Sequence, residues 1–193
     1  MIKTILALLD VILPLFKQNS QNAQPKKDNV VPFVPKPKYD IKWIPSPNFK
    51  KGKSKKNEVI VIHHTAGASF ESDIRWLCDP KTEASAHYII SKKGEIAQLV
   101  KDEDIAWHAG KSIFNNVANV NRYSIGIELQ GDTCKESPTE KQYKALEYLT
   151  KLLIDKYNIP LSNIVAHRDI APGRKLDVDP ANFDWERFLA NLN

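Results

Sequence analysis

The sequence predicts an α/β fold: a single domain with a central mixed β-sheet flanked by helices. Three observations carry that reading. Val59-Ile60-Val61-Ile62 is an unbroken β-branched run, the pattern of a strand covered on both faces. Residues 86–90 and 95–100 are strand-like runs around the short turn Ser91-Lys92-Lys93-Gly94, which reads as a hairpin and supplies an antiparallel pair. Ser137-Pro138-Thr139-Glu140 reads as a helix start capped by Ser137, and Tyr143, Leu146, Leu149, Leu153 and Tyr157 follow at spacings of three and four, so one face of that helix is buried.

At 193 residues and 42% hydrophobic content, the chain can bury one core but not a second complete one. Residues 1–16, MIKTILALLDVILPLF, form an apolar segment read as a signal or anchor. Asp10 and Pro14 interrupt it, and no small-x-small cleavage site follows. Residues 17–41 are rich in Pro, Lys and Asn and read as a linker with too little apolar surface to offset its ordering entropy. The domain proper is assigned to residues 42–193, with the apolar stretch around Trp43 and Ile44 lying against it as an arm.

Lys and Arg outnumber Asp and Glu by 28 to 23, giving a net charge of +5. Lys50, Lys51, Lys53, Lys55 and Lys56 account for much of that excess. Without interleaved aromatics, the run reads as solvated chain rather than a phosphate-tracking groove, so no nucleic-acid partner is expected. A basic protein is equally drawn to an anionic polymer such as a bacterial envelope. Cys78 and Cys134 lack a CxxC partner and read as unpaired, a single bridge staying open if the protein is exported.

The remaining elements carry the chemistry. After His63-His64-Thr65, Ser69 is placed to cap a helix through Ile74, Trp76 and Leu77. Residues 104–112 form an aperiodic loop bearing Trp107 and His108, and 124–129 a strand bearing Glu128 near its tail. Ile164-Val165-Ala166 ends a strand that delivers His167, and the loop through Pro172 and Gly173 returns Lys175 and Asp177 towards it. A last helix, opened at Asp179-Pro180 or Asn182, buries Trp185, Phe188, Leu189 and Leu192.

His63, Glu128 and His167 thus arrive independently at the carboxyl ends of three strands, the rim where open α/β sheets build sites. Two imidazoles and a carboxylate match a catalytic zinc set with one position left for water. Glu128 is suited to accept the water's proton and return it to a leaving nitrogen, and Lys175 to stabilise an oxyanion. Together they describe amide hydrolysis. His64 should point away from the site, while His87 and His108 are read as substrate-groove or supporting groups.

The segments VIHHTAG (61–67), SAHYII (85–90), AWHAGKS (106–112), SIGIELQGD (124–132) and AHRDIAPGRKLD (166–177) resemble, in order, the zinc-dependent N-acetylmuramoyl-L-alanine amidases of type 2, relatives of phage lysozyme-like amidases and peptidoglycan recognition proteins. The resemblance covers roughly residues 42–190. It implies cleavage of the amide between the lactyl group of N-acetylmuramic acid and L-alanine in peptidoglycan or muropeptides. It also implies one Zn²⁺ held by His63, His167 and Asp177, with Glu128 and Lys175 catalytic. Ala86, where some relatives place tyrosine, fits the glutamate-using branch. The family usually reads Asp-Pro-Gly after the metal aspartate, whereas this chain has Asp177-Val178-Asp179-Pro180; Asp179 is the competing choice, and Asp177 keeps the spacing. A non-catalytic peptidoglycan-binding module is the alternative function. The chain is expected to act as a monomer on the cell wall, exported or held at a membrane through residues 1–16, with a cytoplasmic or phage-encoded protein as the alternative.

Overall fold

A computed structural model describes residues 39–193 apart from Ser54. The signal or anchor reading of 1–16, and the linker reading up to residue 38, lie outside the described residues. In chain order the strands are β1 (Ile41–Trp43), β2 (Phe49–Lys50), β3 (Val59–His64), β4 (Tyr88–Ile90), β5 (Ile96–Gln98), β6 (Ile105–Ala106), β7 (Ile113–Phe114), β8 (Val117–Ala118), β9 (Ser124–Leu129) and β10 (Ile164–Ala166). The α-helices are α1 (Phe70–Cys78), α2 (Glu140–Tyr157), α3 (His167–Ile170) and α4 (Trp185–Ala190).

Six strands form the main sheet in the order β1-β5-β4-β9-β3-β10. β3 runs parallel to both β9 and β10, β4 is parallel to β9, and the β4–β5 hairpin supplies the antiparallel pair. The sheet is therefore mixed, as the sequence predicts. Side-chain alternation explains how both faces are covered. Ile60, Ile62, Ile125, Ile127 and Leu129 pack with Leu146, Leu149, Leu153 of α2 and with Phe183 and Phe188. On the opposite face, Val59 and Val61 pack with Tyr123 and Ile170, while Leu77 of α1 meets Ile89, Ala97 and Leu99. His63 follows the parity of Val59 and Val61, so it emerges on that second face.

Several boundaries differ from the sequence reading. α2 begins at Glu140, capped by Thr139 rather than Ser137: Thr139 Oγ1 accepts from the Gln142 N–H, and Gln142 Oε1 accepts from the Thr139 N–H. Both hydroxyls satisfy the local motif, and tertiary contacts choose between them. The Thr139 hydroxyl also donates to the Lys92 carbonyl, and Gln142 donates to the Gln130 carbonyl. α4 is capped by Asp184, not by Asp179 or Asn182. Asp179 instead closes a turn by accepting from the Ala181 N–H. The arm is edge strand β1, paired with β5 from Ile41 onward, so the sheet begins inside the stretch read as linker.

Lys50, Lys51, Lys55 and Lys56 of the lysine run are exposed, as expected, and Lys53 alone departs from that reading. Lys53 Nζ is buried and donates to Asn57 Oδ1 at 2.6 Å, the Asp102 carbonyl at 2.9 Å and the Ser124 carbonyl at 2.8 Å. Burial pulls its pKa down to about 7, against the opposing pull of Asp102, Asp104 and Glu103. Between that value and the ordinary 10.5, the unfolded chain binds a proton that the folded chain does not, so this group makes stability rise with pH. We expect the urea midpoint of the parent to gain on that of Lys53→Met as pH is raised from about 7 to 10, because every other group cancels in the difference. A constant difference would show that Lys53 keeps its proton when folded.

Candidate active site

Three elements deliver the first cluster. His63 is the fifth residue of β3, His167 opens α3 directly after β10, and Asp177 ends the loop that follows α3. His63 Nδ1 lies 2.9 Å from His167 Nδ1 and 3.3 Å from Asp177 Oδ2, and His167 Nδ1 lies 3.1 Å from the same oxygen. A tetrahedral ion bound at about 2.0 to 2.1 Å has donor atoms separated by roughly 3.3 Å, so this triangle is close to one face of such a site.

Proton positions support that fit. His167 Nε2 faces the Ala109 carbonyl at 3.3 Å, and a carbonyl only accepts. The ring proton is therefore on Nε2, which leaves the Nδ1 lone pair facing a carboxylate oxygen across 3.1 Å. Two acceptors at that distance repel unless a cation lies between them. Burial lowers the pKa of His63 to about 4, so this imidazole is neutral and able to ligate at pH 7. Asp179, the alternative carboxylate, sits 3.8 Å from Arg168 and takes no part in the triangle.

Glu128 stands beside this cluster because β9 pairs in parallel with β3 in a register that sets it opposite His63. Its Oε2 is buried without a hydrogen-bond partner. Burial, and then the Asp177 charge, push its pKa up to about 8, with Lys175 opposing. Both carboxylates, both imidazoles and Lys175 line a cavity of about 500 Å³. Trp76 and Trp107 line it as well, and Trp76 is 55% exposed although α1 is amphipathic, so its indole is offered to whatever enters.

The structure brings together all five residues singled out from sequence. Of the two readings of His87, the structure removes the substrate groove and keeps the supporting role: the ring is wholly buried, with Nδ1 accepting from the Gly126 N–H. His64 Nδ1 accepts from the Thr133 N–H at 3.0 Å, which puts the ring proton on Nε2, towards Asp132 at 3.7 Å. The nearby His64, Asp132 and Cys134 therefore do not form a set of three lone pairs, although their atoms are close. Cys78 and Cys134 are unpaired. Sequence reasoning did not find Ser124 and Gly126, which share the face of β9 that carries Glu128; the available signal was the two-residue period 124, 126, 128.

The family model for N-acetylmuramoyl-L-alanine amidase matches residues 53–181. The 1,6-anhydro-N-acetylmuramyl-L-alanine amidase AmpD of Haemophilus influenzae is 36% identical over 174 residues, spanning 79% of this chain and 92% of the relative. A selenomethionine AmpD crystal structure superposes with a TM-score of 0.73 at 32% identity, covering 79% of this chain and 94% of that one. AmiD from Escherichia coli, solved with anhydro-N-acetylmuramic acid-L-Ala-D-γ-Glu-L-Lys, gives 0.62 at 34% identity, covering 76% of this chain and 58% of its own.

These relatives correct the expectation of an exported or membrane-anchored protein. The AmpD match spans nine-tenths of the relative, whose name specifies a 1,6-anhydro sugar. Among the described residues, which do not include 1–16, no helix is long and apolar enough to cross a membrane. Sixteen apolar-rich residues do not by themselves distinguish an address from a packing segment. The non-catalytic module is likewise set aside, since the relatives that match are hydrolases. With the extent of the family match, the AmpD and AmiD likenesses and the cluster above, the chain belongs to the type 2 N-acetylmuramoyl-L-alanine amidases and hydrolyses the amide between N-acetylmuramic acid and L-alanine.

Proposed function

We propose that the chain works as a monomeric zinc amidase on released 1,6-anhydro-muropeptides, with His63, His167 and Asp177 as zinc ligands and Glu128 and Lys175 as catalytic groups. The observation that carries this reading is the convergence of two Nδ1 lone pairs and Asp177 Oδ2 beside the unpartnered Glu128 Oε2. Bound there, zinc would polarise the scissile carbonyl and lower the pKa of water towards about 7.

The chain's own residues do the rest. Glu128 Oε2 takes the proton of the attacking water, a role suited to a carboxylate whose pKa is raised towards the working pH. The same oxygen then delivers that proton to the L-alanine nitrogen, so the amine leaves neutral. The Lys175 ammonium faces the negative oxygen that develops as the carbonyl is attacked. Trp76 and Trp107 give the cavity flat apolar walls on which a sugar ring or the peptide stem can lie, and they limit water at the reacting carbonyl.

Zinc at 100 times its dissociation constant should stabilise the chain by about 2.7 kcal/mol, a rise of roughly 5 to 10 °C in Tm. The rise should vanish in His167→Ala and Asp177→Ala; a parent that shows none does not hold zinc at this site. Glu128→Gln should keep the thermal rise and lose about 10² to 10⁴ in kcat, whereas His167→Ala should lose both. Near-normal turnover by Glu128→Gln would remove it from the proton path. Incubation with purified anhydro-muropeptide and with intact sacculi, reading the new L-alanine amino terminus, should show release from the soluble fragment first.

A further inference from the structure

Resting on the proposed metal set, we infer that His108 is a positioning residue for His63, and that a one-way hydrogen-bond chain from His63 through His108 to Ser124 sets which nitrogen of His63 faces the ion. The chain's polarity can be worked out from its far end. Ser124 Oγ lies 2.7 Å from the Val120 carbonyl, which only accepts, so the hydroxyl proton points there. The oxygen lone pairs are left to accept from His108 Nε2 at 3.1 Å. With its proton on Nε2, His108 presents a bare Nδ1 to His63 Nε2 at 3.0 Å. His63 must then carry its proton on Nε2 and aim the Nδ1 lone pair at His167 and Asp177. Reversing the chain would put a proton on His63 Nδ1 and leave the Val120 carbonyl without this donor.

Three features hold His108 to this task. Its backbone N–H and that of Ala109 both donate to Asn121 Oδ1, at 3.2 and 2.7 Å, which pins the loop. The ring meets His63 edge-on, with centroids 5.0 Å apart and an interplanar angle of 82°. Gly126 makes room beneath it: a Cβ there would stand 2.4 Å from His108 Cγ, so any side chain at that strand position would displace the imidazole. Ser124, Gly126 and Glu128 share one face of β9, and these three residues supply the end of the chain, the space for its middle link and the proton acceptor of the reaction. His167 has the matching device in simpler form, its Nε2 directed at the Ala109 carbonyl. Outer partners of this kind typically affect metal affinity by about 10- to 100-fold.

The test is zinc affinity, measured by chelator competition on the full chain without substrate. His108→Phe keeps the ring's bulk and leaves His63 Nε2–H without an acceptor, so zinc should bind about 10- to 100-fold more weakly. His108→Asn, whose Oδ1 can stand where Nδ1 stood, should recover most of that loss. Equal affinity in the parent and His108→Phe would overturn the inference while leaving the metal set intact. A parent that binds no zinc would overturn the metal set and this inference with it. If His108→Phe does not fold, the unaltered zinc-loaded chain still decides: ¹⁵N-labelled histidines should show a proton on His63 Nε2 coupled to His108 Nδ1, and a proton found on His108 Nδ1 instead would refute the chain.

Discussion

The site depends on the parallel pairing of β3 between β9 and β10. Register is not adjustable here, because a shift of one residue would turn Ile60 and Ile62 away from the α2 side and bring Val61 and His63 into the hydrocarbon core. The same hydrophobic requirement that holds Ile60, Ile62, Ile125 and Ile127 on one face therefore aligns His63 with Glu128 on the other. Pairing of Ala166 with Ile62 brings the chain out of β10 one residue before His167, beside His63. The apolar face, which touches no reacting group, fixes the positions of three that do.

Bringing these groups together carries an electrostatic cost that shapes their surroundings. Two imidazoles and a carboxylate are pressed to about 3 Å, while Glu128 keeps a buried oxygen without a partner. Arrangements of this kind persist in a folded protein when a cation or a transferred proton completes them. The directions of the outer hydrogen bonds are consistent with that completion, because His63 and His167 each turn a lone pair inward only if the other nitrogen holds the proton against an acceptor. Ala109 provides that acceptor through its backbone and His108 through a side chain.

Legibility in the sequence followed the range of the interactions. β3, the hairpin and the buried face of α2 were readable because they follow two- and 3.6-residue periods over several residues. The convergence of His63, Glu128, His167 and Asp177 was readable because each lies near the end of a strand, directly after one, or on a short returning loop, and the family resemblance fixed the order of motifs. The start of α2 was misread by two residues, since Ser137 and Thr139 both suit a cap and only contacts with Lys92, Gln130 and Ile90 distinguish them. Lys53 was misread because a run of lysines looks solvated from composition alone. Its burial depends on carbonyls at Asp102 and Ser124, 49 and 71 positions away, which no local pattern reveals. The localisation reading failed for a related reason: it weighed an apolar segment without the context of the domain it adjoins.

Ser124 shows how these long-range requirements meet. It is the first residue of β9 and wholly buried; its carbonyl accepts from Lys53 and its hydroxyl accepts from His108. The lysine network and the histidine chain are thus anchored on one residue, held in place by its pairing with Val59 at the start of β3. The amino group of the half-buried Lys53 is held by the Asn57 side chain and two backbone carbonyls, an arrangement that accepts little displacement of those partners. What Lys53 contributes to the histidine cluster is therefore a fixed start to β9. In the proposed hydrogen-bond chain, the orientation of Ser124 Oγ is passed through His108 to the His63 nitrogen that faces His167 and Asp177.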